Sequence, residues 1–131
     1  MSRALAAAIR EACLADAPLQ AIVADRVFDD PPPDAVFPYV TFGRFESLPV
    51  DVSLAAAVEH TVTLHAWSRY GGRAEALDII AALRGALHHA PLSIEGGRVV
   101  LVLTQFSDVF RSGDGITTHG VLRLRAITEP T

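Results

Sequence analysis

Five histidines, one cysteine and a short aspartate cluster are the side chains of this sequence that could hold a metal or move a proton. His88 and His89 are adjacent at the end of a helical pattern, where successive side chains diverge by about a hundred degrees. Neither has a histidine or carboxylate four residues on to complete a ligand pair, so they read as helix-end capping residues. His60 and His65 fall on opposite faces of one expected strand and His119 on another, so a site built from two of them depends on a register that the sequence does not reveal. Cys13 lies on the apolar stripe of a helix and reads as a small buried hydrophobe, and as the lone cysteine it excludes an internal disulfide. Asp29, Asp30 and Asp34 surround Pro31-Pro32-Pro33, whose fixed extended geometry opposes wrapping round a cation; a solvated loop is expected. Gly71-Gly72-Arg73 and Gly113-Asp114-Gly115 lack the spacing of a phosphate-binding loop, and no serine sits in a nucleophile elbow. No cofactor, metal or catalytic residue is therefore assigned, and the chain is read as a non-enzyme. An enzyme would require two of His60, His65 and His119 to converge with a carboxylate in a cleft.

Composition narrows the classes further. The 131 residues fit one domain, 1–131, large enough to bury a core without metal or disulfide staples. No apolar stretch approaches the roughly 18 to 20 residues that span a bilayer, and Glu11 and Asp16 interrupt the apolar start too early for a signal peptide. The formal charge is -4 and every basic side chain apart from the histidines is arginine, scattered from Arg3 to Arg125 among more numerous carboxylates. A dedicated nucleic-acid binder shows the opposite balance, because counterion release from a basic patch drives its affinity.

The elements that would position these residues follow from periodicity. Leu5, Ala8, Ile9, Ala12 and Cys13 form the stripe of a helix over 3–16, and Pro18 can open a second short helical turn through Val23. Val27-Phe28 reads as a brief extended piece. The first long strand is expected from Pro38 to Phe45, where Gly43 permits a bulge or a close backbone approach, and the second over 57–67 as its partner. On that second strand Val58, His60, Val62, Leu64 and Ala66 share one face, and Glu59, Thr61, Thr63, His65 and Trp67 the other. Ala76, Ile79, Ile80, Leu83 and Leu87 make the stripe of a helix over 73–89 that Pro91 stops. Residues 99–110, apolar on both faces at the start, suggest a central strand, and the turn Ser112-Gly113-Asp114-Gly115 joins them as a hairpin to 116–128. The expected fold is α+β: a mainly antiparallel four-stranded sheet with two helices packed on one face, in the order α-β-β-α-β-β.

Such a sheet leaves one face uncovered. Trp67, Val121 and one side of 99–103 are apolar enough to suggest burial against another subunit. Leu48, Val50, Val52 and Leu54 alternate with polar residues where a hairpin needs only a few loop residues. This segment is either an arm laid on a neighbouring subunit or a strand extension over its own core. The tip around Arg111 and Asp114 is either a contact for the next component of an assembly or solvated. With Arg123 and Arg125 on the last strand, these residues form the expected subunit or tube interface.

The run Phe37-Pro38-Tyr39-Val40-Thr41-Phe42-Gly43, then His60 through Trp67-Ser68-Arg69, Gly72-Arg73-Ala74-Glu75-Ala76, Leu87-His88, and Asp114-Gly115-Ile116-Thr117-Thr118-His119-Gly120-Val121-Leu122-Arg123 carry a resemblance over about residues 5 to 128. Their order and spacing resemble the small tail-terminator or tail-completion proteins of long-tailed phages and gene transfer agents. The resemblance implies a homo-oligomeric ring, typically of six, that caps the last ring of tail-tube protein and faces the head-completion (stopper or adaptor) proteins on its other side. It implies assembly in the bacterial cytoplasm, residence in the neck of the particle, and a channel through which DNA passes without specific binding or any membrane contact. Six copies at -4 would carry roughly -24, and an acidic lumen would let DNA pass by Coulomb repulsion. The alternative is a free-standing α+β binding module, a homodimer holding a small ligand between sheet and helices.

Overall fold

The computed structural model describes residues 1–50 and 56–130. Helix α1 spans Ser2–Ala15 and buries Leu5, Ala8, Ile9 and Cys13, the stripe that the periodicity predicts. Asp16 ends it and caps the next: its carboxylate accepts a hydrogen bond from the Leu19 amide at 3.0 Å, and Pro18 occupies the first turn of α2, Ala17–Val23. Helix α3, Ala74–Leu87, buries Ala76, Ile79, Ile80, Leu83 and Leu87. No helix among the described residues is long and apolar enough to cross a membrane.

Five strands make one sheet: β1 (Val27–Phe28), β2 (Tyr39–Val50), β3 (Ala57–Ser68), β4 (Gly97–Arg111) and β5 (Thr118–Pro130), in the spatial order β1-β2-β3-β5-β4. β3 pairs antiparallel with β5 without interruption from Val58↔Thr128 to Ser68↔Thr118. The β2–β3 ladder runs from Tyr39↔Trp67 to Val50↔Ala57 with a bulge between Phe42 and Phe45, at the glycine expected to permit one. Alternation along these ladders points Val62, Leu64 and Ala66, with Leu122, Leu124, Ala126 and Val102, to one side. There they join Leu5, Ile9, Leu19, Ile79, Leu83 and Leu87 in one hydrophobic cluster. All three helices therefore cover the same face, and each fully buried leucine contributes about 1.5–3 kcal/mol of transfer free energy.

The α+β class and the one-sided helical layer hold, with three corrections. The sheet has five strands and is mixed, because Val27-Phe28 pairs parallel with Val40-Thr41. Two residues are too few to show a strand pattern, and the pair is held by local bonds: Val40 N–H to the Arg26 carbonyl at 2.9 Å and the Arg10 Nε–H to the Val27 carbonyl at 2.9 Å. The turn opened by Pro18 is a full helix, making three. β4 is an edge strand and not a central one, since β5 uses its other edge for β3; the apolar residues on both sides of β4, Val102 against Leu101 and Leu103, reflect a second sheet face that is itself partly apolar. Leu48 and Val50, left open between an arm and a strand extension, continue β2, paired across from Glu59 and Ala57. Val52 and Leu54 lie outside the described residues.

Helix α3 approaches β5 most closely at Gly120, where a Cβ would stand 3.1 Å from Ile80 Cγ1 and 3.2 Å from Ala66 Cβ. Gly120→Val should lower the unfolding free energy by about 1–3 kcal/mol through overpacking. Gly113→Val, at a position open on all sides, should change it by less than about 0.5 kcal/mol, both measured by urea denaturation.

Candidate assembly interface

The sheet face opposite the helices is built by the alternate residues of the same strands. Glu59, Thr61, Thr63, His65 and Trp67 of β3 lie across from Ile127, Arg125, Arg123, Val121 and His119 of β5. Tyr39 of β2 stands across from Trp67, and Phe110 of β4 across from His119, so four rings form a row over four strands. Trp67 and His119 stack with centroids 4.0 Å apart and planes at 13°. Phe110 lies 4.9 Å from His119 and Tyr39 6.5 Å from Trp67. Phe37 extends the row, 5.0 Å from Tyr39, and the Arg69 guanidinium sits 4.2 Å over its ring in a cation–π contact. Trp67 and His119 cover each other's faces, while the Phe37–Tyr39 and Phe110–His119 pairs are tilted at 55° and 56°.

His65 and His119 meet inside this row, with His65 Nδ1 2.7 Å from His119 Nε2. One imidazole donates and the other accepts, so at least one nitrogen of the pair must be unprotonated. Burial pushes both histidines below their ordinary pKa; the neighbouring His65 lowers His119 further and Asp108 opposes the shift. Both shifts favour the neutral imidazole. The bulge at Gly43 lets β2 pass the His65 ring, since a Cβ there would collide with the imidazole. Beside it, Thr41 Oγ1 accepts from Trp67 Nε1–H at 2.9 Å. A third histidine, cysteine, aspartate or glutamate that would complete a metal set is absent among the described residues.

Next to the row the face becomes polar: Arg125 donates to Glu59 at 2.8 Å, and Arg123 stands 4.9 Å over the Phe106 ring. Leu48, Val50, Trp67, Val121, Arg123 and Arg125 all share this face by register, Leu48 with 67% of its surface exposed. Arg111 and Asp114 sit instead on the β4–β5 hairpin tip. The Asp114 carboxylate accepts from the Thr117 hydroxyl at 2.6 Å and from the Thr117 and Ile116 amides at 2.8 and 2.9 Å. These bonds hold its carboxyl at about 2. The Arg111 guanidinium donates to the Gly115 carbonyl at 2.8 Å, so the tip is braced from within.

The remaining titratable candidates are structural. His60 is buried and satisfied on both nitrogens, by Ser47 Oγ at 2.8 Å and Thr128 Oγ1 at 2.9 Å. Cys13 is buried in the core, which pushes its thiol up to about 12 and suppresses the nucleophilic thiolate. Asp29, Asp30 and Asp34 are exposed. His88 caps α3 and its Nδ1 accepts from the Thr104 amide at 3.0 Å. Its ring touches that of His89, 4.2 Å between centroids, because the backbone is already extended at His88 and left-handed at His89; the divergence expected of a continuing helix does not occur.

Among the described residues these side chains form a built surface of stacked rings and internally bonded polar groups. The family model described as "Tail completion protein gp17" matches residues 7–129. The chain belongs to this family. Tail completion protein gp17 of Bacillus phage SPP1 is 34% identical over 126 residues, covering 95% of this chain and 91% of that protein. A chain in the virion of the native gene transfer agent particle matches with a TM-score of 0.90 and 28% identity, over 97% of this chain and 96% of that one. The solved structure of bacteriophage SPP1 gp17 matches with a TM-score of 0.64 and 30% identity, over 95% and 88%. This is a structural protein of phage-like tails, as the resemblance implied.

The sequence set Trp67 and Val121 on the open face and left any meeting of His65 and His119 to a register it does not reveal; it did not join Tyr39 and Phe110 to them. Each lies on the correct parity of its own strand; only the register, which aligns them across four strands, makes them one row. The neutral histidines give this region a pH signature. His60, His65 and His119 all titrate below 6.5 in the fold, so the unfolded chain binds protons more readily and the stability they contribute is full above about 6.5 and lost as pH falls below it. The melting temperature should be flat from about pH 8 to pH 7 and fall towards pH 5. His119→Gln should shallow that fall, and an equally steep profile in the variant would remove the pair as its cause.

Proposed function

We propose that this chain is the subunit of a closed ring, six copies by family resemblance, that ends the tail tube at its head-proximal end. Its other side meets the head-completion proteins, and DNA passes through the channel. The ring would form in the bacterial cytoplasm and remain in the neck of the finished particle. The observation that carries the reading is the match of 97% of the chain, at a TM-score of 0.90, to a chain of the native gene transfer agent virion. A closed cyclic assembly needs two different, mutually complementary surfaces on each copy. The uncovered sheet face with Leu48, Val50, Trp67, Val121, Arg123 and Arg125, and the hairpin tip with Arg111 and Asp114, are the surfaces available for subunit and tube contacts. Val52 and Leu54, next along the chain from Val50, are proposed to take part in the same contacts. The space between helices and sheet is filled by Leu5, Ile9, Leu64, Leu83, Leu122 and Leu124, all fully buried, and so gives no support to a ligand held between the two layers.

The arginines and carboxylates of the open face balance, Arg44, Arg98, Arg123 and Arg125 against Glu46, Glu59, Asp108 and Glu129, so the net -4 is carried by the rest of the chain. The channel wall is expected to carry more carboxylates than arginines, which keeps DNA from adhering. The test is mass-resolved sizing of the purified protein with and without its cognate tail-tube protein. A species near six copies, alone or formed on tube ends, is the expected result; a stable dimer indifferent to tube protein would overturn the reading.

A further inference from the structure

The α2 and α3 helices leave a groove of about 560 Å³ on the outer side of the helical layer. Its floor is apolar and shallow, with Pro18 and Ile22 on one side and Ala81 and Ala82 on the other, and its rim carries Asp16 and Asp78. Among the described residues the ion pairs are Arg98–Glu129 and Arg125–Glu59, so neither rim carboxylate is ion-paired there, although Asp16 accepts the Leu19 amide as the cap of α2. Arg84, also on α3, points away from the groove and donates to Ser107 on β4. The groove thus combines small apolar side chains with two carboxylates that have no ion-pair partner among the described residues.

The β4–β5 hairpin tip pairs an apolar side chain with one arginine, Arg111, and one carboxylate, Asp114, whose oxygens are turned inward onto Thr117 and Ile116. Ile116 projects from it with 58% of its surface exposed. Asp114 fixes the loop through three hydrogen bonds, and Arg111, exposed at the base, keeps guanidinium donors free beyond the one spent on Gly115. A tip already ordered in the free chain loses little conformational entropy on docking. Ile116 matches the apolar floor in polarity, and Arg111, with donors still free, is the charge complementary to the rim carboxylates, while the Asp114 oxygens are already bonded within the loop. The two surfaces differ, so the contact is heterologous, as a closed ring requires.

We infer that neighbouring copies join by seating the hairpin tip of one subunit in the α2–α3 groove of the next, with Ile116 on the apolar floor and Arg111 against Asp16 and Asp78. The inference rests on the ring reading and names the contact that closes it. Arg111→Glu alone places like charges at every contact, and so does Asp78→Arg alone. In an equimolar mixture of the two variants an alternating ring restores an opposite pair at each contact. At one contact the introduced carboxylate of Arg111→Glu faces the introduced guanidinium of Asp78→Arg, and at the next an unaltered Arg111 faces an unaltered Asp78.

The experiment counts rings on tubes of the cognate tail-tube protein by electron microscopy for wild type, each variant, the mixture, and Ile116→Asp. All variants are first matched to wild type by circular dichroism and melting. Each single variant and Ile116→Asp should lower ring occupancy by about tenfold or more, and the mixture of the two charge variants should recover it. Variants that form rings as wild type does, or a mixture that stays unassembled while wild type assembles, would overturn the contact and leave the ring standing. Wild type that forms no ring in any condition would remove the ring reading itself.

Discussion

The uninterrupted register between β3 and β5 is the constraint on which the rest of the structure depends. It aligns Val62, Leu64 and Ala66 with Leu124, Leu122 and Gly120, so that three helices find one continuous apolar face. The same register aligns Trp67 with His119 and Thr61 with Arg125 on the other side. A slip of one residue would exchange the two faces, placing Arg123 and Arg125 under the helices and Leu122 and Leu124 outside. The core and the outer face are consequently one specification: whatever selects the buried set also assembles the aromatic row.

That outer face is stiff by construction. The His65–His119 bond, the Trp67–Thr41 bond and the Arg125–Glu59 pair each tie two strands together. The bulge at Gly43 makes room for the His65 ring where a regular strand bearing a side chain would not. At the hairpin tip, Asp114 performs the corresponding task within a loop. Polar groups that an enzyme would leave poised for substrate are here bonded to one another: His60 to Ser47 and Thr128, Asp114 to Thr117, His65 to His119. Internally satisfied polar groups and preordered surface features suit a structural component of a tail, whose contacts must form repeatedly with the same geometry.

Much of this was legible in the sequence. The stripes of α1 and α3, the proline that opens α2, the two faces of β3 and the β4–β5 hairpin are each set by local periodicity or turn chemistry. What stayed hidden required pairing information. Val27-Phe28 becomes a strand only because β2 is beside it, and β4 becomes an edge only because β5 turns to β3. His65 and His119 lie 54 positions apart and touch through register alone. The family was visible because its signal is distributed: many ordinary strand and turn segments in a fixed order, which reach from residue 7 to 129 in the family model.

The central claim, that copies of this chain form a ring closing the head-proximal end of a tail, is tested most directly by an electron-microscopic reconstruction of the neck of the particle that contains it. The account predicts one closed ring of this chain between the last tube ring and the head-completion proteins, each copy touching its two neighbours through different surfaces. A reconstruction placing the chain elsewhere in the tail, or as isolated copies or two-fold dimers, would contradict it.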